Sequence, residues 1–225
     1  MARILIIDTA VDIGGICLCE GPEPIAEMRN DTQKEQAGWL QPAIAKLLKS
    51  EGTRLEELDA IAVSAGPGSY TGLRVSMATA KGLCYALSKP LIAMNTLRIM
   101  AISAKKQLQG ELMYCPMIDA RRMEVFSSLF DNQLVEILPP QALVLETNSF
   151  DHWLALGPIC FFGNGAEKYK NLLKNDLAIF KKLPACVADG AVLAAEMYAK
   201  KEFSDLAYAE PFYVKAFYSH LSVNS

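Results

Sequence analysis

What most restricts this chain is an order of elements written twice, each time with an aspartate closing one strand and a Gly-x-Gly turn closing another. The first pass opens on Ile4 to Asp8, an apolar run rich in β-branched residues, followed by Gly14 to Cys19 and Ile25 to Arg29 with Gly and Pro between. This pattern predicts three short strands joined by turns. A helix is expected next: Thr32 and Glu35 have capping-box spacing, Leu40, Ile44, Leu47 and Leu48 form an apolar stripe, and Gly52 suits a left-handed cap. Pro42 should kink it, with Gly38 leaving the ring some room. A buried-looking strand, Ala60 to Ser64, then leads into Gly66-Pro67-Gly68-Ser69-Tyr70-Thr71-Gly72 and a second helix to about Ser88. The second pass runs Met113 to Asp119, Glu124 to Phe130, Leu134 to Leu138, helix Phe150 to Leu156, strand Ile159 to Phe162, Gly163-Asn164-Gly165-Ala166, and helical Glu167 to Leu173. The aspartates lie 111 positions apart and the first glycines 97. Either one topology recurs with different loop lengths, or short elements coincide.

The expected fold is α/β, two tandem βββαβα lobes with mixed sheets and a cleft between them. With 225 residues the chain can bury two cores. The lobes are expected at residues 1–108 and 109–225, divided in the polar stretch Lys105 to Glu111. A helix Ala188 to Lys201 and a tail from Ala209 finish the chain, its last residues packing back on the first lobe. Hydrophobic residues at 52% and charged ones at 21% describe a globular body, and 22 basic against 25 acidic residues leave no electrostatic footprint for nucleic acid. RNA contact would then rely on a partner's positive surface. The run Ile4 to Ile7 is too short for a signal peptide and no apolar stretch spans a membrane, so a soluble, cytoplasmic protein is expected. Six cysteines without a C-x-x-C pair read as reduced core thiols, and two histidines, His152 and His220, cannot build a His-x-x-x-His metal site.

Asp8 and Asp119 end the first strand of each lobe. About a pseudo-twofold axis they face each other across the cleft, where strand-end aspartates hold Mg²⁺ or water near phosphates. The plainer alternative is that Asp8 caps the turn made with Thr9. Neither Asp8-Thr9-Ala10 nor Asp119-Ala120-Arg121-Arg122 contains a glycine that lets amides approach a phosphate, so no residue is assigned a catalytic role. The segment carrying Gly66, Gly68, Ser69 and Thr71 joins a strand, a glycine-rich turn and a helix N-terminus, which suits an anion, although Gly-Lys-Ser/Thr is missing. A tight turn fixed by Pro67 and capped by Thr71 explains it equally well. Gly163 and Gly165 take the corresponding place in the second lobe. Arg121, Arg122 and Glu124 either line the cleft or form a solvated strand turn, the latter being favoured.

The helix after Gly72 is more informative. Gly72, Ser76 and Ala80 recur every four residues, as do Ala78, Gly82 and Ala86, and Val75, Thr79, Leu83 and Leu87 widen the arc of small and apolar side chains. Glycine and serine lower helix propensity, which points to another helix lying close, whereas packing on its own sheet explains only one flank. A subunit interface is expected, with Leu40, Ile44 and Leu47 beside it and Trp39 as an anchor or a half-buried core residue.

Ser64-Ala65-Gly66-Pro67-Gly68-Ser69-Tyr70-Thr71-Gly72-Leu73-Arg74, continuing through Ala78-Thr79-Ala80-Lys81-Gly82-Leu83, closely resembles the signature of the bacterial TsaB (YeaZ) family. Ile7-Asp8-Thr9, Pro90-Leu91-Ile92, Ile118-Asp119-Ala120-Arg121 with Glu124-Val125-Phe126, Gly163-Asn164-Gly165-Ala166 and Ala209-Glu210-Pro211-Phe212-Tyr213 support it. Gln36 stands where a family histidine is expected, which leaves the role of that position open. The resemblance implies an actin-like, RNase H-like two-lobed fold. It also implies a non-catalytic scaffold that partners the larger paralogue TsaD and the P-loop ATPase TsaE, in transfer of a threonylcarbamoyl group to the adenine beside the anticodon of tRNAs. The helices near Thr32 to Glu51 and Gly72 to Leu87 become the surface for homodimers and for TsaD. No cofactor and no metal are implied beyond weak ATP or ADP at the partner interface, and tRNA is met through the complex. The enzyme-class alternatives are a nucleotide-dependent phosphotransferase using Asp8 and Asp119, and a glycoprotease-like hydrolase, the second disfavoured because no metal ligands and no Ser/His/Asp set are apparent.

Overall fold

The run Ile4 to Ile7 becomes the inside of strand β1 (Arg3–Asp8), which pairs antiparallel with β2 (Gly14–Glu20) and parallel with β4 (Ala60–Gly66). The computed structural model describes residues 1–30, 36–184 and 186–215. A strand with neighbours on both edges and helices on both faces has no wet side, so it reads as an unbroken apolar run. β3 (Glu23–Asn30) and β5 (Leu91–Asn95) complete a sheet of order β3-β2-β1-β4-β5. In the second sheet β6 (Met113–Asp119) is central, antiparallel to β7 (Glu124–Phe130) and parallel to β9 (Ile159–Phe162), with β8 (Glu136–Val144) and β10 (Ala178–Phe180) at the edges. Its order, β10-β9-β6-β7-β8, matches the first when β6 stands for β1 and β9 for β4. The repetition in the sequence is therefore one of topology.

Helices α1 (Gln36–Ser50) and α2 (Tyr70–Leu87) cover one face of the first sheet, burying Leu40, Ile44, Leu47, Met77 and Cys84 with Leu5, Ile7 and Val63. The short helices α4 (Asp151–Leu154) and α5 (Ala166–Lys170) cover the second sheet around Phe150, Phe161 and Tyr169. The opposite faces are covered crosswise. Helix α3 (Thr96–Gln107) leaves β5 with Asn95 as its cap, accepting from the Leu97 (2.8 Å) and Arg98 (3.3 Å) N–H groups. It lays Leu97, Met100, Ala101 and Ala104 against Tyr114, Ile118, Phe130 and Phe162 of the second lobe, while its Ile99 packs with Ile4, Ile6 and Ile92 of the first. Helix α6 (Gly190–Ala199), which follows the second sheet in the chain, packs Ala191, Leu193 and Ala194 against Ile4, Ile6, Ile92 and Met94 of the first. A cut in the sequence at 108 falls between α3 and β6 and does not separate the two cores. Past α6 the chain returns along the first sheet, where Ser204 N–H donates to Leu91 O (2.9 Å) and Phe212 N–H to Ala65 O (2.7 Å).

Several local readings change. The pattern read from sequence omits β5, α3 and β10. β8 runs Glu136–Val144 rather than Leu134 to Leu138: Leu134 sits in the turn at φ 62, and Pro139 and Pro140 are tolerated because an edge strand has backbone positions facing solvent. The helices read at 150 and 167 are shorter, four and five residues. Val187–Asp189 is a 3-10 turn, so the last helix starts at Gly190 and ends at Ala199. Ser69, not Thr71, caps α2, its hydroxyl accepting from Gly72 N–H at 3.3 Å. The capping box at Thr32 and Glu35 lies outside the described residues; Gly52, two residues past α1, takes φ 60. All six cysteines are free, five of them buried, and burial pushes the Cys115 thiol up to about 12 and those of Cys19, Cys84 and Cys160 to about 11. Among the described residues no helix is long and apolar enough to cross a membrane.

Candidate functional site

Between the lobes lies a cleft of about 570 Å³, lined by Asp8, Val11 and Asp12 at the end of β1, Arg29 of β3, and Gly163, Asn164 and Phe180 of the second lobe. Asp8 is only 6% exposed. Burial pushes its carboxyl above the ordinary carboxylate range, against the pull of the bond it accepts from Ala10 N–H (2.9 Å) and of the nearby Ser64 hydroxyl. That hydroxyl is itself buried and makes no hydrogen bond of good geometry.

Asp119 is not its mirror image. It is exposed and outside the cleft lining, and its carboxylate accepts from Lys168 Nζ (2.6 Å) and Arg121 N–H (2.6 Å). Burial pushes the carboxyl up, but the lysine and the amide outweigh it and hold it below the ordinary value. The expected pair facing across the cleft is therefore corrected: Lys168, from the first turn of α5, draws Asp119 aside. What crosses the cleft is Asn164, whose Nδ2 donates to Asp12 Oδ2 (2.9 Å) while its Oδ1 accepts from Asp119 N–H (2.8 Å). Arg121 and Arg122 sit exposed in the β6–β7 turn at φ 70 and 47, and Glu124 accepts from Lys215 Nζ at 2.9 and 3.0 Å. None of these three lines the cleft.

The glycine turns are tightly filled. A Cβ on Gly68 or Gly72 would overlap the carbonyl oxygen of Ala10 or Thr9, and one on Gly66, at φ 129, that of Phe212. Ser69 N–H donates to Ala10 O (2.7 Å), and the Thr9 hydroxyl donates to Gly72 O (2.6 Å). In the second lobe Gly163, at φ 94, approaches the Met117 carbonyl in the same way, and Gly165 N–H donates to that oxygen at 3.0 Å. These contacts hold each turn against the end of its lobe's first strand, each using one amide, that of Ser69 or Gly165, that an anion could otherwise meet. Among the described residues no three His, Cys, Asp or Glu side chains converge where a metal ion could sit.

The second candidate is the α1–α2 face. Leu40, Ile44, Leu47, Gly72, Ser76 and Ala80 are all buried inside the lobe, with Thr9 and Gln36 against Gly72. They cannot meet a partner directly, because the chain's own core already occupies them. Trp39, Val75, Thr79 and Leu83 are half-buried, and Ala78, Gly82, Tyr85 and Ala86 are exposed. The face is open along these eight residues.

A family model described as TsaD: tRNA N6-adenosine threonylcarbamoyltransferase matches residues 30–209. The chain is 31% identical over 182 residues to the tRNA threonylcarbamoyladenosine biosynthesis protein TsaB of Bacillus subtilis, covering 77% of this chain and 76% of that one. It belongs to the TsaB (YeaZ) family. To the TsaB of Escherichia coli it is 27% identical, over 95% of this chain and 94% of that one. The solved structure of YeaZ from Pseudomonas aeruginosa superposes with a TM-score of 0.80 at 27% identity, over 95% of this chain and all of that one, which fixes the actin-like, RNase H-like class of the two lobes.

In this TsaB-family chain Gln36 acquires a structural place: its amide lies 3.2 Å from where a Cβ on Gly72 would stand and 3.5 Å from one on Gly14. It fills the space between two glycines. Sequence reasoning also passed over Asp12, Asn164 and Lys168. Asn164, flanked by glycines in the second turn, carried a signal that could have been followed; Lys168 carried none, since its partner lies 49 positions away. The tail adds Tyr213, whose hydroxyl accepts from Arg74 Nε (3.1 Å) and whose ring lies 5.5 Å from that of Tyr70.

Proposed function

We propose that this chain serves tRNA threonylcarbamoyladenosine biosynthesis as a non-catalytic scaffold, docking a larger TsaD-type paralogue through the outer face of α1 and α2 and working with a TsaE-type ATPase. The names of its relatives support the pathway. The scaffold role rests on one observation: both glycine turns bond to their own lobe, while Asp8 is buried and Asp119 is tied to Lys168. A site in which one amide of each turn and both carboxylates are already engaged has less left with which to bind a phosphate and activate its attack. The outer face suits a helix–helix contact, since Ala78, Gly82 and Ala86 allow close approach and Val75, Leu83, Tyr85 and Trp39 supply apolar area. In this reading the part before residue 108 carries the docking surface, a homodimer uses the same face when the paralogue is absent, and tRNA is met through the complex. Any ATP or ADP binds weakly at the partner interface.

The test is nucleoside mass spectrometry of tRNA from cells depleted of this protein. Threonylcarbamoyladenosine should fall on depletion and return with wild type and with the double variant Asp8→Ala, Asp119→Ala, but not with Gly82→Arg, Leu83→Glu. The last should also fail to co-purify with the paralogue while keeping the wild-type unfolding midpoint. Rescue by wild type but not by a folded aspartate variant would give this chain an active chemical role, and unchanged modification on depletion would remove it from the pathway.

A further inference from the structure

The cleft carries a charge pattern that neither its aspartates nor its glycine turns explain. Lys170 at the end of α5 and Lys181 and Lys182 just beyond β10 line it from the second lobe, and none of their ammonium groups has a partner among the described residues. Arg29, the other cation there, is paired with Glu27 at 2.9 Å. Of the carboxyl groups lining the cleft, Asp8 is buried and pushed toward its neutral form, Asp12 is held by Asn164, and Glu167 alone has no described partner. Three unpaired ammonium groups face the Asp12 and Glu167 carboxylates, with Arg29 offset by Glu27, so the second-lobe wall keeps a small excess of positive charge in a chain whose net charge is −3. Low-dielectric walls focus such a field on whatever enters. Much of the remaining lining is apolar, with Val11, Met100, Phe180 and Leu183 among it. A concave, largely apolar space with a few convergent charges is the make-up of a small-molecule site, and such sites span roughly 300–1,000 Å³.

We propose that the interlobe cleft binds a small organic anion with a compact apolar body, its phosphate or carboxylate held by Lys170, Lys181 and Lys182 and its body by Val11, Met100, Phe180 and Leu183. Val11 and Asp12 belong to the first lobe and the lysines to the second, so an occupant joins the lobes beside the Asp12–Asn164 bond. The lysines that carry the site lie outside the glycine turns, of which only Gly163 and Asn164 reach the cleft, and the site stands whether or not the chain docks a paralogue.

The test titrates 1-naphthyl phosphate, 1-naphthoate and inorganic phosphate into the full chain by calorimetry, with thermal unfolding in parallel. At least one naphthyl compound should bind with sub-millimolar affinity and raise the unfolding midpoint, the better of the two telling phosphate from carboxylate. Inorganic phosphate should bind far more weakly. Lys170→Glu, Lys181→Glu, Lys182→Glu should weaken binding at least about tenfold, and added salt should weaken it in the wild type. If charge reversal disturbs folding, Lys170→Gln, Lys181→Gln, Lys182→Gln gives the same reading. No heat with either naphthyl compound overturns the site, as does binding that a folded lysine variant leaves unchanged. Inorganic phosphate binding as tightly as the naphthyl compounds overturns the apolar half of the proposal.

Discussion

Asp8 and Asp119 end equivalent strands of equivalent sheets, yet one is buried with its proton favoured and the other is exposed and ion-paired. The difference traces to the third residue of the helix after each glycine turn. In the first lobe that residue is Gly72, and the missing side chain lets Thr9 close down beside Asp8. In the second lobe it is Lys168, whose ammonium takes the Asp119 carboxylate at 2.6 Å. One topology therefore gives two electrostatic environments, because topology fixes where a strand ends while a single neighbouring side chain decides what its carboxylate meets.

The sharpest way to break this comparison is Gly72→Ala. Its Cβ would overlap the Thr9 carbonyl, a backbone atom with little freedom to move, and we expect a loss exceeding about 4 kcal/mol in denaturant unfolding. Gly82→Ala on the same helix meets nothing within 4 Å and should gain up to about 1 kcal/mol. A gain at both positions would mean the close approach at Gly72 is wrong.

Leu97→Ala tests the crosswise cores. Leu97 is fully buried among second-lobe side chains, so its truncation should cost about 2–5 kcal/mol and speed hydrogen exchange in β6 and β9 more than in β5. Leu193→Ala should do the reverse, loosening β1 and β5. Exchange confined to the sequence-adjacent lobe in either variant would contradict the exchange of helices.

Smaller effects come from the aspartates themselves. A carboxyl whose folded value is raised stabilises the fold while it holds its proton; for Asp8 that contribution is whole below about pH 4 and is lost as pH rises through the raised value. Asp8→Asn keeps an acceptor for Ala10 N–H and should raise the unfolding midpoint at pH 7, with an advantage that vanishes in acid. Asp119 has the opposite sign: its stabilisation is present above about pH 4 and fades as pH falls through its lowered value. Because this carboxylate is 42% exposed, Asp119→Asn should cost only about 0–1 kcal/mol, less at high salt. Equal midpoint shifts of the same sign in the two variants would erase the distinction between the lobes.

The strands β6, β7 and β9 were legible residue for residue, and β1 nearly so, since short, largely apolar runs bounded by Asp, Gly or Pro leave few other options. α5 was expected but read too long and β10 was missed, because five and three residues are too short to show a period. At Gly72, Ser76 and Ala80 the helix arc has a different cause from the one expected. Small residues at four-residue spacing do signal close approach, but the signal does not say what approaches, and around Gly72 the approaching groups are the chain's own Thr9 and Gln36. The cleft lysines carried no signal at all: Lys170 stands ten or more positions from Lys181 and Lys182, and only the parallel pairing of β9 with β10 brings them to one wall.

By itself the sequence determined most of the local elements, their repeated order and several positions where glycine suits a turn, because backbone conformation and the periodicity of burial are properties of near neighbours. The tertiary structure alone decided that α3 reaches across to the second sheet and α6 back to the first, that Lys168 pairs with Asp119, and that three lysines share a cleft with a buried Asp8. Those outcomes depend on pairs tens of residues apart, and at such separations it is packing, not spacing along the chain, that sets distance and dielectric.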